Sequence, residues 1–314
     1  MIKAITKFKE LVAHEKTRIE SLFPLILVFG GDVEGKTADG INKYSSCRHV
    51  FVQWAHDTKY ELANLLHTPE KIPEWNHFEE NYNLVDFEKD AGCLSNGILL
   101  FLEGPGALAE LGAFCTDEIL CERLLVVLSQ EHYDADSFIS LGPIKRIVDK
   151  HTDGSICVVP TTKDAHAFEK EVVGVGESLR KKVKTLPKKT MQFNADGKRD
   201  QFLLIADLIE LFGALDEDEL GVLLKFMKVN PPNLKRMLKQ LVLFGLIIKS
   251  TGYTDRFYVP PKQRNKFLNY TATAGLKFEK APFWLTRVLP VLKEDKNKNR
   301  LIAYEKIHGA LSWK

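Results

Sequence analysis

The sequence predicts an α/β protein: a parallel sheet flanked by helices, joined to a mainly helical second domain. Three observations carry that prediction. Residues 25–29, 98–102 and 124–128 are short, continuous apolar runs, the mark of strands buried on both faces. Stretches with apolar residues at helical spacing separate them. Beyond residue 197 the pattern changes to three successive helical stretches.

Taken in order, residues 1–22 place Ile5, Phe8, Leu11, Val12, Ile19 and Leu22 at helical spacing ahead of Pro24, which predicts one helix. Residues 25–29 predict the first strand, stopped by a tight loop at Gly30-Gly31-Asp32. Residues 45–67 and 74–95 read as helices, broken by Pro69 and Pro73. Residues 98–102 predict the second strand, followed by a Gly/Pro turn and a helix over 106–121; residues 124–128 predict the third. A helix at 140–150, a strand at 156–159 and a helix at 163–184 complete a Rossmann-like order over residues 1–190.

Residues 180–196 are basic, proline-broken and poor in apolar residues, as a linker would be. After it, helices at 198–212, 216–227 and 231–244 lead to a hairpin of 246–250 and 256–259 around a Thr-Gly-Tyr-Thr-Asp turn. That is the order of a winged helix-turn-helix, here assigned to 197–314. Pro231-Pro232 is placed in the first turn of the recognition helix, where proline is favoured. Further helices, with Trp284 and Trp313, fill residues 262–314.

Apolar residues make up 45% of the 314 and charged residues 27%, which excludes a disordered, collagen-like or disulfide-dense chain. The net charge of +2 hides a cancellation. Residues 1–196 carry 23 Lys/Arg against 30 Asp/Glu, and residues 197–314 carry 21 against 12. A basic back half points to a polyanionic partner. The charged N-terminus has no signal-peptide pattern, and the apolar runs fall short of the ~20 residues that span a bilayer. Five cysteines without a CxxC pair and nine histidines without HxxxH or HExxH give no readable metal site or disulfide framework. A cytoplasmic protein with no membrane partner and no metal is expected.

The chemistry concentrates between Asn96 and Phe114. A strand ends at Glu103, Gly104-Pro105-Gly106 turns the chain, and Glu110 falls early in the next helix. Ligands of open parallel sheets bind beyond the carboxyl ends of the strands, so Glu103, the turn and Glu110 share the functional edge. Gly104-Pro-Gly106-Ala-Leu-Ala109 also fits a dinucleotide fingerprint. The internal proline, the late position and the lack of an acid after the following strand weigh against it. Glu110, in contrast, is placed to attack an anomeric carbon and form a glycosyl ester.

Ala107-Leu-Ala-Glu110-Leu-Gly-Ala-Phe114 after a strand and a glycine-rich turn resembles the nucleophile motif of the nucleoside deoxyribosyltransferases. With Leu25-Ile-Leu-Val-Phe-Gly-Gly-Asp32, Ser45-Ser-Cys-Arg48 and the attached basic domain, the whole chain resembles the effectors of retron anti-phage systems. The resemblance implies that Glu110 is the nucleophile, that Gly30, Gly31 and Asp32 form the loop beside the sugar or a phosphate, and that Asn96 and Glu103 orient sugar or nucleophile. The transferases place an aspartate just before the nucleophile helix; here the acid is set back to Glu103, which argues against ordinary nucleoside exchange. The implied substrate is NAD, cleaved at its nicotinamide–ribose bond without a cofactor. The implied partners are the retron reverse transcriptase and its branched RNA–DNA product, msDNA, in a possible higher-order assembly.

Other readings stay open at this point. Glu103 is either a sugar ligand or a solvated strand-end acid. Arg48 either meets a phosphate or forms an ordinary salt bridge, and the glycine loop is also an adequate turn. Lys225, Lys228, Lys235, Arg236, Lys239 and, in the wing, Arg256 are candidates for phosphate contacts. The alternative to an effector enzyme is a winged-helix transcriptional regulator whose front domain senses a nucleotide.

Overall fold

The computed structural model describes residues 1–33, 44–72, 83–186, 191–251, 256–263 and 265–309. Pro73, the first part of the 74–95 stretch, residues 252–255 of the hairpin turn and Trp313 lie outside them. Internal contacts divide the chain into two compact units, Phe23–Lys188 and Met1–Leu22 with Lys189–Lys314.

The first 22 residues therefore cluster with the back of the chain, and they are not one helix. α1 (Ile2–Leu11) buries Ala4, Ile5 and Phe8, and the chain then extends as β1 (Val12–Ile19). β-branched Val12, Thr17 and Ile19 are buried, and cross-strand pairing outweighs the helical spacing that local pattern alone shows.

The Phe23–Lys188 unit begins with β2 (Ile26–Phe29), whose four residues are all buried. α2 (Cys47–Asp57), β3 (Leu66–His67), α3 (Leu84–Leu94) and β4 (Gly97–Phe101) follow. Then come α4 (Pro105–Thr116), α5 (Glu118–Arg123), β5 (Leu124–Ser129) and α6 (Gln130–Asp134). A π turn (Ser140–Ile144) leads into α7 (Lys145–His151), and β6 (Ile156–Val159), α8 (Ala165–Phe168) and α9 (Val172–Thr185) close the unit. The five strands form one parallel sheet in the order β3-β2-β4-β5-β6.

Successive side chains of a strand point to opposite faces, and both faces are covered. Ile26, Val28, Leu99, Phe101, Leu125 and Val127 pack with Phe51 of α2, Phe168 of α8 and Val175 of α9. The other face meets α3, α4 and α5; Phe29 and Phe114 touch ring edge to face at 5.2 Å between centroids. From β2 the chain crosses to β3 on one side and then to β4 on the other. The order thus reverses between two adjacent strands, where open α/β sheets form their ligand crevice.

In the second unit β7 (Met191–Gln192) and β10 (Leu268–Ala272) flank β1 in a three-stranded antiparallel sheet. Two expectations are corrected here. The 180–196 stretch is not a linker throughout, since α9 runs to Thr185 and Met191–Gln192 pair with Arg18 and Ile19. The region after residue 262 opens with a strand, Leu268–Ala272, before its helices. That strand is anchored by Asp207, a buried carboxylate of α10 (Lys198–Phe212), which accepts from Leu268 N, Tyr270 Oη and Lys280 Nζ at 3.0, 2.8 and 2.6 Å.

α11 (Glu217–Phe226) starts with a capping box between Asp216 and Glu219. α12 (Leu234–Leu243) is capped by the Asn233 side chain, which accepts from Arg236 N. Pro231 and Pro232 precede that cap instead of occupying the first turn, because the asparagine supplies the acceptor that the turn needs. β8 (Ile248–Lys249) and β9 (Tyr258–Val259) pair antiparallel, and Leu215, between α10 and α11, exchanges both backbone hydrogen bonds with Tyr258. α13 (Lys280–Phe283), a π turn (Trp284–Val288), α14 (Leu289–Leu292) and α15 (Lys298–His308) complete the unit.

Candidate active site

The loops that follow β2 and β4 meet at the carboxyl edge of the sheet. Gly30 has φ +145°, and a Cβ there would lie 2.8 Å from Phe101 Cβ; one on Gly31 would lie 2.7 Å from Ser46 Cβ. Only glycine permits a chain pressed this tightly against β4 and the start of α2. Ser46 caps α2 through His49 N, and the Ser45 and Ser46 hydroxyls both donate to the Asp32 carbonyl at 2.7 and 2.6 Å. Asp32 thus serves the loop through its backbone while its side chain is exposed.

Glu103 projects into this loop. Its Oε1 accepts from Gly31 N at 3.3 Å and Arg48 N at 3.0 Å, and its Oε2 accepts from Cys47 N at 2.6 Å. The amino end of a helix is a ready anion site, and here the protein's own carboxylate fills it. Burial raises the Glu103 pKa, while the backbone donors pull it down. Cys47, beside it, has its thiol pushed up by burial and by Glu103, so it offers no thiolate.

Glu110 lies midway along α4, half-buried, and its Oε2 is buried with no hydrogen-bond partner among the described residues. Desolvation pushes its pKa up to about 7; the Arg48 charge lowers it and the Glu70 charge raises it. Arg48 is buried: Nε donates to the Gly31 carbonyl, Nη1 to the Val28 carbonyl at 3.1 Å, and Nη1 and Nη2 to Glu70 at 3.3 and 2.8 Å. It forms an ion pair, and its donors are largely committed within the protein. A Cβ on Gly104 or Gly106 would meet nothing within 4 Å, so the turn before α4 leaves open space above it.

The edge therefore gathers Gly30, Gly31, Asp32, Arg48, Glu103, Gly104, Gly106 and Glu110. Asn96 does not join them. It precedes β4 and donates from its backbone to the Leu25 carbonyl at 2.6 Å, at the amino edge of the sheet. Six residues at ~3.3 Å each place it roughly 20 Å from the turn at Leu102–Glu103. A strand's two ends face opposite edges, so Asn96 and Glu103 cannot orient one sugar together.

The second unit carries the basic side chains. Lys225, Lys228, Lys235 and Lys239 are exposed and Arg236 is half-buried. Leu224, Lys225, Lys228, Val229, Pro231 and Leu234 border a cleft of about 580 Å³. Arg256 pairs with Asp216 at 3.1 Å and covers the Phe257 ring at 4.7 Å. Counted by unit, Met1–Leu22 with Lys189–Lys314 holds 27 Lys/Arg against 16 Asp/Glu, and Phe23–Lys188 holds 17 against 26.

Residues 44–249 match the family model described as STM3845 retron effector protein. The chain belongs to this retron effector family. Two curated Escherichia coli relatives are similar to it. One, named "Retron Ec73 putative ribosyltransferase/DNA-binding protein", is 28% identical over 189 residues, 56% of this chain and 59% of the relative. The other, named "Retron Ec86 putative ribosyltransferase/DNA-binding protein", is 26% identical over 120 residues, 38% of this chain and 36% of the relative. The matches span less than two thirds of either relative's length.

The family match begins at Tyr44, so it takes in α2, β4, α4 and the three helices that follow residue 197. Within the effector's edge, Glu70 is the charged residue that sequence reasoning missed. It sits in a 3-10 turn (Pro69–Lys71), 22 residues from Arg48, with no periodicity or motif that marks it. No helix among the described residues is long and apolar enough to cross a membrane.

Proposed function

We propose that this retron effector cleaves an N-glycosidic bond, that of nicotinamide to ribose in NAD, with Glu110 as nucleophile. The observation that carries the proposal is Glu110 itself, a half-buried carboxyl with a buried, unpartnered oxygen on the helix whose preceding glycine turn borders open space. The printed names of the two relatives, which join ribosyl transfer to DNA binding, support it.

In the proposed reaction the ionised Glu110 attacks C1′ of the ribose. The C1′–N bond breaks with its electron pair going to the pyridinium nitrogen, so nicotinamide leaves neutral and needs no proton. A glycosyl ester joins Glu110 to C1′. Water then adds to C1′, the ester C–O bond breaks with its pair returning to Glu110, and the water's second proton is released. Glu103 is a positioning residue here, since its lone pairs are taken up by three backbone donors. The substrate's phosphates bind away from the amino end of α2, which that carboxylate already fills.

The second unit is proposed as a winged-helix module that docks on the reverse transcriptase–msDNA complex. Its support is the order α10, a Leu215 bridge, α11, α12 and the β8–β9 hairpin, with exposed lysines on α11, α12 and between them. The test is mass spectrometry of small metabolites from cells expressing the effector or its Glu110→Gln variant. Loss of NAD with gain of nicotinamide and ADP-ribose is expected for the parent alone. Equal depletion by the variant would refute the nucleophile, and no turnover by either, with tight binding to one duplex sequence, would favour a regulator.

A further inference from the structure

In the second unit a cleft of about 580 Å³ opens where the end of α11 meets the start of α12, a size within the ~300–1,000 Å³ of small-ligand sites. Its lining is apolar: Leu224 and Val229 are buried, and Pro231 and Leu234 are half-buried. Lys225, Lys228 and Asn230 are exposed at its border. Among the described residues neither lysine has a carboxylate partner. Two residues of this cleft are poor choices for the fold alone. α11 and α12 end in the same hydrogen-bonded turn. Lys228 N donates to the Lys225 carbonyl and Val229 N to that of Leu224, as Gly245 N does to Val242 and Leu246 N to Leu241. The turn needs a left-handed residue; α12 supplies Gly245 at φ +68°, whereas α11 places Lys228 there at φ +57°, and a side chain in that conformation is strained. Gly221 is the second. It sits inside α11, where glycine weakens a helix, and a Cβ on it would meet nothing within 4 Å. No packing contact asks for glycine here; what the missing side chain does is keep the cleft open.

We infer that this cleft is a binding site for unpaired nucleotides, with phosphates on Lys225 and Lys228 and a base turned out of its strand onto the apolar lining. The Asn230 amide, which can both donate and accept, borders the same space and suits a base edge. The bases of a duplex are paired and stacked within it, so a duplex reaches only the lysines at the border. An unpaired base is free to leave its stack and enter. The unit's 27 Lys/Arg against 16 Asp/Glu favour a nucleic acid over a peptide as the occupant. Lys228 and Gly221 then have a common reason: one brings a cation to the border, the other leaves room for the base. The inference rests on the second unit meeting nucleic acid.

The test is fluorescence anisotropy of the full chain, across a salt series, with a labelled mixed-sequence DNA oligonucleotide, single-stranded or annealed to its complement. The parent should bind the single strand more tightly than the duplex. Gly221→Leu puts a side chain into the cleft and a better helix former into α11. It should weaken the single strand by about tenfold and leave the duplex within about twofold of the parent. Lys228→Gly removes the cation and relieves the left-handed strain. It should not lower the melting temperature, yet it should flatten the slope of log affinity against log salt by about 0.7 for the single strand. A folded Gly221→Leu protein that binds the single strand like the parent, or loses both forms equally, overturns the inference, as does a parent that prefers the duplex. If Gly221→Leu does not fold, a Lys228→Gly protein with the parent's slope overturns it. A parent that binds neither form refutes docking on nucleic acid as well, and the duplex arm separates that failure from failure of the cleft.

Discussion

As the proposed nucleophile, Glu110 has two opposing demands on its carboxyl. A nucleophile must be ionised, yet burial holds this group near half protonation at neutral pH, with its pKa at about 7. Turnover should therefore rise with pH along a single acid limb centred near 7, measurable as nicotinamide release between pH 5 and 9. Stability runs the other way. The pKa of Glu110 is raised above its unfolded value of 4.5, so between pH 4.5 and 7 the folded state binds the proton more tightly and stability is lost as pH rises. At ~1.4 kcal/mol per unit the loss above pH 7 has an upper value of roughly 3 kcal/mol. Glu110→Gln should thus gain on the parent in thermal unfolding at pH 8 and gain little at pH 4.5; an equal gain at both would contradict the burial argument. Glu103 makes the complementary case. Glu103→Ala leaves the amides of Gly31, Cys47 and Arg48 without their acceptor and should cost on the order of 2 kcal/mol, with faster hydrogen exchange at those three amides. Glu110 could be singled out in sequence because its signal is local, a Glu on a helix after a strand and a turn. Glu70 could not, because its meaning lies in a partner 22 residues away.

At the scale of elements, the site is two loops and two helix starts pressed together. Gly30→Ala would force a side chain into a positive-φ position and against Phe101, which should destabilise the effector by about 2 kcal/mol or more. Gly104→Ala meets open space and an extended φ of −160°, so its effect on the melting temperature should be small. Any loss of turnover in that variant then reads as obstruction of the substrate. Comparing the two melting curves checks the packing account of the loop directly. The buried strands of the sheet could be read from the sequence, since continuous apolar runs of strand length have few other uses. β1 and β10 could not. β10 mixes buried and half-buried positions and β1 has only three exposed ones, so neither is a continuous apolar run, and each exists because the other pairs with it. The prolines before α12 misled for a related reason: Asn233 takes the capping position, and its competence depends on geometry that spacing does not encode.

Across the whole molecule, dividing the chain by its contacts sharpens the charge asymmetry instead of diluting it. Met1–Leu22, though distant in sequence, adds five Lys/Arg and three Asp/Glu to the basic unit, which reaches a balance of +11 against −9 for the other. A basic unit that meets a polyanion gains affinity by releasing counterions, so its binding must weaken with salt in proportion to the phosphates it neutralises. If Lys225, Lys228, Lys235 and Lys239 each meet one phosphate, they contribute roughly −3 to −4 to the slope of log affinity against log salt, at about 0.7–0.9 per contact. Replacing all four by Gln should flatten the slope by that amount and weaken binding to an RNA–DNA hybrid about equally across sequences, because phosphate contacts carry no base information. Arg256 is expected to contribute less than an unpaired arginine would, since Asp216 already pairs with it and a phosphate must displace that carboxylate. Arg256→Gln alone should consequently change the slope by well under one unit. A four-lysine variant that keeps the parent's slope would place the polyanion on another face of the basic unit.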